Sequence, residues 1–291
     1  MAFPRSIQIV DVTARDGLQN EDKIVAAADK ISLIHHLNDC GFSHIEVGSF
    51  VGPALKQMAD SDVVFAGIDK KPGVRYSVLV PNMKGMGRAV SAGVKTIAVF
   101  LAASETFSQK NINCSIAESL ERLNPVMEAA KANKIDVRGY VSCVMGCPFE
   151  GDIAPAKVAE VSDALYQMGV YEISLGDTIG VGTPDKTKAL LDTITPKIPG
   201  SKLAMHCHDT YGHAIDNIEI ALRDYGIRVV DSAIAGIGGC PYAKSAAGTR
   251  APGNVATEKV LQFASRNGIQ TDVNPVAVAK AAAHIQMMLK K

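Results

Sequence analysis

Three histidines fall within eleven residues, in the stretch LAMHCHDTYGH at 203–213, although the whole chain holds only seven. The residues before Asp209 are apolar and short, as in a buried strand, and a strand sends successive side chains to opposite faces. His206 and His208 therefore point one way and Cys207 the other. Two imidazoles on one side have three explanations: a divalent metal bound through one ring nitrogen of each, two core histidines satisfied by backbone, or a surface coincidence. Asp16, at the end of the first strand-like run, can add a carboxylate. A site of histidine, aspartate and a neutral oxygen suits Mg²⁺ or Mn²⁺, whereas Zn²⁺ more often recruits sulfur.

Arg15 directly precedes Asp16. It reads either as a salt bridge holding a loop or as a fixed cation for a developing enolate or carbonyl oxygen. The glycine- and alanine-rich segment GIGGCPYAKSAAGTRAPGN at 236–254 carries Cys240, Lys244 and Arg250. It is a flexible surface loop or a mobile lid that brings the thiol over a site. The C-x₃-C of Cys143 and Cys147 lacks redox spacing, and Cys40 and Cys114 are expected to be structural.

Short runs rich in Val, Ile and Leu recur along the chain: 6–13, 44–50, 75–81, 96–102, 136–143, 172–177, 203–209 and 229–236. Most lack clean alternation, as parallel strands buried on both faces do. Helical stretches lie between them, at 26–40, 116–133, 155–168, 184–197 and 214–225 among others. Thr183–Pro184 is a helix start, and Gly41, Gly93, Gly169 and Gly226 each follow a helical run as stops. Eight strand–helix units in 291 residues, with no linker, match one α/β TIM (β/α)8 barrel over 1–291. A doubly wound sheet is the rival, but TARDGLQNE follows the first strand where a dinucleotide-binding sheet carries G-x-G-x-x-G. The tail at 271–291 is one more helix, a C-terminal extension packed outside. Barrel active sites gather at the C-terminal strand ends, where Arg15, Asp16, Glu46, Asn82, Tyr140, Asp177, His206, His208 and Cys240 are expected together.

Composition limits the partners. Lys+Arg and Asp+Glu balance at 30 each, which gives no reason to expect nucleic acid or an anionic membrane. No apolar run reaches the roughly 20 residues of a membrane helix. The opening MAFPRSIQIVDV runs straight into a strand with no leader pattern, and six cysteines without a secretion signal suggest free thiols in the cytosol.

The motifs VTARDGLQNE, IEVGSFV, KNINCS, RGYVSCVMGCPFEG, YEISLGDTIGVGTP, HCHDTYG, GIGGCPYA and GNVATE occur in this order over nearly the whole chain. Through them the sequence resembles the 3-hydroxy-3-methylglutaryl-CoA lyase family, among the DRE-TIM metallolyases. The resemblance implies cleavage of a 3-hydroxy-3-methylglutaryl thioester to acetyl-CoA and acetoacetate. It puts metal ligands at Asp16, His206, His208 and Asn254, the catalytic arginine at Arg15 and a reactive loop cysteine at Cys240. His206 or Asp16 is expected to relay the hydroxyl proton. Glu46 and Asp177 match acidic residues of the cavity, and with Arg15, Lys244 and Arg250 they are the expected substrate-binding set. Expected partners are an acyl-CoA and a second copy of the chain, as a homodimer. Two departures lie where the acyl-CoA should enter: KSAAGTRAP replaces a shorter connection, and Asp22 precedes Lys23 after LQNE. A condensing enzyme of the same superfamily and a silent acyl-CoA-binding barrel are the rival functions.

Overall fold

The computed structural model describes residues 3–52, 55–239 and 253–290. Cys240, Lys244 and Arg250 lie outside them, as does most of the 236–254 segment read from the sequence as a lid. Strands and helices alternate. In chain order they are β1 (Gln8–Asp11), α1 (Ala27–Asp39), β2 (His44–Ser49), α2 (Ser61–Gly67), β3 (Arg75–Leu79), α3 (Met83–Ser91), β4 (Thr96–Ala102), α4 (Glu105–Ile112), α5 (Ile116–Ala132) and β5 (Asp136–Ser142). There follow α6 (Pro155–Gln167), β6 (Glu172–Asp177), α7 (Pro184–Ile194), β7 (Leu203–Cys207), α8 (Ala214–Asp224), β8 (Val229–Ser232), α9 (Thr257–Arg266) and α10 (Pro275–Lys290). The eight strands pair in parallel, each with the next, and β8 closes on β1. This is the expected TIM barrel.

Every residue of β2, β6, β7 and β8 is buried, so the polar residues on them, among them His44, Glu46, Ser174 and Asp231, are enclosed rather than turned to water. Alternation survives in what each face meets. Met205 and Cys207 join the large apolar layer between strands and helices, while Ala204 packs with Val10, Val12 and Val229. His206 shares the parity of Ala204, so its ring enters the barrel. The predicted punctuation is present. Gly41, Gly93, Gly169 and Gly226 have φ of 86°, 70°, 92° and 73°, a left-handed conformation that costs glycine little. The Thr183 hydroxyl accepts the Lys186 amide at the start of α7, and Ser115 with Glu118 forms a reciprocal capping box on α5. The expected tail helix is α10, lying against α1 and α9.

The structure departs from the sequence reading where β1 ends. The strand stops at Asp11, and Thr13–Gly17 forms one wide turn closed by the Gly17 amide on the Val12 carbonyl at 3.0 Å. Asp11 directs this. Its carboxylate accepts the Thr13 amide at 3.1 Å and the Thr13 hydroxyl at 2.7 Å, and a side chain that captures nearby backbone amides competes with strand pairing.

Candidate active site

Asp16, His206 and His208 meet at the C-terminal mouth of the barrel. The wide turn after β1 delivers Arg15 and Asp16, β7 ends at the two histidines, and one ligand atom from each of Asp16, His206 and His208 lies within 4.8 Å of the others. Asp16 Oδ2 is 3.9 Å from His206 Nε2 and 3.6 Å from His208 Nε2. Asn254 arrives by a different route. The returning segment pairs antiparallel with the end of β7: the Val255 amide donates to the Cys207 carbonyl and the Asp209 amide to the Gly253 carbonyl, both at 2.9 Å. That bridge sets Asn254 beside His208, where its amide nitrogen donates to Asp16 Oδ2 at 2.8 Å and to the Ile237 carbonyl at 3.1 Å. Glycine is required for this approach. A Cβ on Gly253 would come within 2.6 Å of the Gly238 carbonyl group, and one on Gly238 (φ 112°) within 2.7 Å of Asn254 Nδ2.

Arg15 is buried and donates through Nε to Glu46 and through Nη1 to Asp16, both at 2.6 Å. Its guanidinium carbon stands 5.2 Å from the centre of the Tyr140 ring, a favourable seat for a cation. Burial opposes ionisation of Asp16, yet Arg15 and the two histidines hold its carboxyl well below the usual range. Burial lifts the Glu46 and Asp177 carboxyls instead, against Arg15 in the first case and the Gly182 amide in the second. Both of these acids engage the protein. Glu46 takes Arg15 and the Tyr140 hydroxyl at 3.2 Å, and Asp177 takes the Val181 and Gly182 amides at 3.1 and 2.8 Å. Lys23, at the altered LQNE connection, donates to the Met288 carbonyl at the end of α10.

A cavity of about 590 Å³ opens over this cluster, within the range of small-molecule sites. Arg15, Asp16, His206 and His208 form its polar floor, and Leu79, Phe100, Phe107 and Leu123 contribute apolar wall. The donor set fits a divalent cation. His206 Nδ1 is engaged by Asp231 at 3.2 Å, which leaves Nε2 toward Asp16. His208 Nδ1 is buried with no hydrogen-bond partner, and among the described residues the cluster offers imidazole and carboxylate without thiolate. Asn254 presents its nitrogen to Asp16, so its carbonyl oxygen would serve an ion after half a turn of the amide.

One contributor was invisible in the sequence reading. Asp231, on β8, reaches His206 from inside the barrel. The run VVDSAI shows only an acid in an apolar strand, and that was the signal available.

A closed parallel (β/α)8 barrel with a carboxylate–imidazole cluster and a fixed arginine at the C-terminal mouth defines a barrel enzyme of the metal-site class. The HMGL-like family model matches residues 6–285, and the chain belongs to that family. It is 51% identical over 292 residues to a 3-hydroxy-3-isohexenylglutaryl-CoA/hydroxy-methylglutaryl-CoA lyase of Pseudomonas aeruginosa, covering 100% of this chain and 95% of that protein. It is 52% identical to the mitochondrial hydroxymethylglutaryl-CoA lyase of Bos taurus, covering 99% and 87%. The crystal structure of hydroxymethylglutaryl-CoA lyase from Pseudomonas aeruginosa superposes with a TM-score of 0.95 at 51% identity, covering 100% of this chain and 95% of that one.

Proposed function

We propose that the protein cleaves 3-hydroxy-3-methylglutaryl-CoA to acetyl-CoA and acetoacetate, with Asp16, His206, His208 and Asn254 holding a divalent cation, Mg²⁺ or Mn²⁺. The observation that carries the reading is the convergence of the Asp16 carboxylate and two imidazoles beside buried Arg15 on the floor of one cavity. A bound divalent ion supplies Lewis acidity to the substrate's tertiary hydroxyl. The remaining work belongs to the chain. Asp16 takes the proton of the 3-hydroxyl; His206, the other expected relay, keeps no free lone pair once Nε2 holds the ion and Nδ1 faces Asp231. The C2–C3 bond then breaks, the oxygen left on C3 becomes the ketone of acetoacetate, and the bonding pair passes to the thioester as an enolate. Arg15, held by Glu46 and Asp16, stabilises negative charge on the thioester oxygen as it develops. Cys240, from the segment outside the described residues, returns a proton to C2 and completes acetyl-CoA.

Glu46 aims Arg15, and Asp177 shapes the loop after β6 that borders the cavity. Lys244 and Arg250, outside the described residues, are assigned to the phosphates of the acyl-CoA. Family membership and near-complete coverage of lyases support cleavage over condensation or silent binding. The test is turnover of 3-hydroxy-3-methylglutaryl-CoA by purified protein, before and after EDTA and after Mg²⁺ or Mn²⁺ is restored. Acetoacetate that appears, stops and returns in that order is expected, and equal turnover in rigorously stripped protein excludes the assigned ion. Sedimentation of the purified protein tests the homodimer.

A further inference from the structure

His206 has two ring nitrogens, and only one can serve the ion site. Nε2 faces Asp16 at 3.9 Å, and Nδ1 faces Asp231 Oδ2 at 3.2 Å. Asp231 is the register partner of His206 across β7 and β8 and is 1% exposed. Its two oxygens are fully engaged. Arg138 grips both, through Nη2 to Oδ1 at 2.7 Å and Nη1 to Oδ2 at 2.9 Å, and the Ser174 hydroxyl donates to Oδ2 at 2.8 Å. Arg138 is held in turn. Its Nε donates to Glu172, its register partner on β6, at 2.7 Å, and Nη1 reaches the Tyr140 hydroxyl at 2.9 Å.

A carboxylate gripped by a guanidinium fork only accepts hydrogen bonds. The imidazole nitrogen facing it must therefore be the one that carries hydrogen, and the lone pair is left on Nε2. We propose that Asp231, clamped by Arg138, is a positioning residue that fixes His206 as the Nδ1–H tautomer and aims its Nε2 lone pair at the ion site. The proposal rests on the assignment of His206 as a ligand, made above. Charge neutralisation inside the barrel would by itself explain the Arg138–Asp231 pair but not the third contact, to the imidazole.

Asp231→Asn separates the two explanations. The amide has one oxygen, which the Arg138 fork retains, so its NH₂ group turns toward His206 as a donor. That reverses the polarity of the contact and selects the Nε2–H tautomer, which cannot ligate through Nε2. In metal-free protein with ¹⁵N-labelled histidine, and with His206→Gln for assignment, wild-type His206 should show Nδ1–H and Asp231→Asn should show Nε2–H. In Mn²⁺ titrations followed by EPR, Asp231→Asn should bind about 10–100-fold more weakly than wild type, as outer partners of ligating histidines typically do. Ser174→Ala, which touches Asp231 but not the imidazole, should stay close to wild type. Wild-type His206 in the Nε2–H form, or folded Asp231→Asn with wild-type Mn²⁺ affinity, overturns the proposal. If the variant fails to fold, the wild-type tautomer decides. Wild-type protein that shows Nδ1–H yet takes up no Mn²⁺ would sink the ion site and leave the tautomer assignment standing.

Discussion

At the scale of single residues, Arg15 and His208 divide the work of the site. Arg15 is fixed by two carboxylates before any substrate arrives, so its charge costs little to orient when the thioester oxygen becomes negative. Arg15→Met should bind Mn²⁺ and fold, lower kcat by about 10²–10³-fold, as loss of one oxyanion donor does, and move KM far less. Near-normal kcat would reduce Arg15 to a salt bridge. His208→Ala should weaken Mn²⁺ binding by more than the roughly 100-fold upper cost of an outer partner; unchanged affinity removes His208 from the ligand set. Asp11 has a different consequence. Burial raises its carboxyl from 3.8 to about 7, against the hydrogen bonds from Thr13. The unfolded chain releases this proton near its ordinary pKa while the folded chain keeps it. Stability from Asp11 is thus fully present in acid, falls as pH rises toward 7, and is level above that, with a slope of up to about 1.4 kcal/mol per pH unit. Asp11→Asn should lose that component, so the difference in Tm between variant and wild type should shift in the variant's favour between pH 5 and pH 7. A constant difference would mean that Asp11 is not protonated in the folded protein.

At the scale of elements, the residues proposed as ligands are placed by how segments end. Gly253→Ala would press a methyl group against the Gly238 backbone and displace the bridge that carries Asn254. It should weaken Mn²⁺ binding and leave the circular dichroism spectrum of the barrel unchanged; wild-type affinity would show that Asn254 does not depend on this approach. Ser115→Ala removes the capping box of α5 and should cost about 1 kcal/mol with kcat unaltered. The same contrast explains what was legible in the sequence. β4 and β6 were readable to the residue, at 96–102 and 172–177: β4 prints as one bounded apolar run, and β6 as Ile173 and Leu175 set between the Gly169 stop and the Thr183–Pro184 helix start. The stops at Gly41 and Gly226 were readable because only their backbone conformation was at issue. The turn at Thr13–Gly17 was not, since it depends on which amides the Asp11 carboxylate captures. Asn254 was out of reach of spacing because an antiparallel bridge, 46 residues after His208, sets its place. Only the family resemblance reached it.

At the scale of the whole molecule, ion binding and folding should be linked but separable. The barrel closes by strand pairing alone, so EDTA-stripped protein should stay folded. Mn²⁺ at 100 times its Kd adds about 2.7 kcal/mol, which should appear as a rise in Tm of a few degrees; no rise would argue against a site present only in the native state. Asp16 and Asn254, joined by one hydrogen bond at 2.8 Å, stand 238 positions apart. During synthesis, then, only Asp16 of the proposed set exists until His206 is made, and Asn254 comes 46 residues after His208. On the proposed ligand set the ion would be a late arrival rather than an early template for the nascent chain, and cells that starve for divalent ions should accumulate a folded, silent enzyme rather than a degraded one.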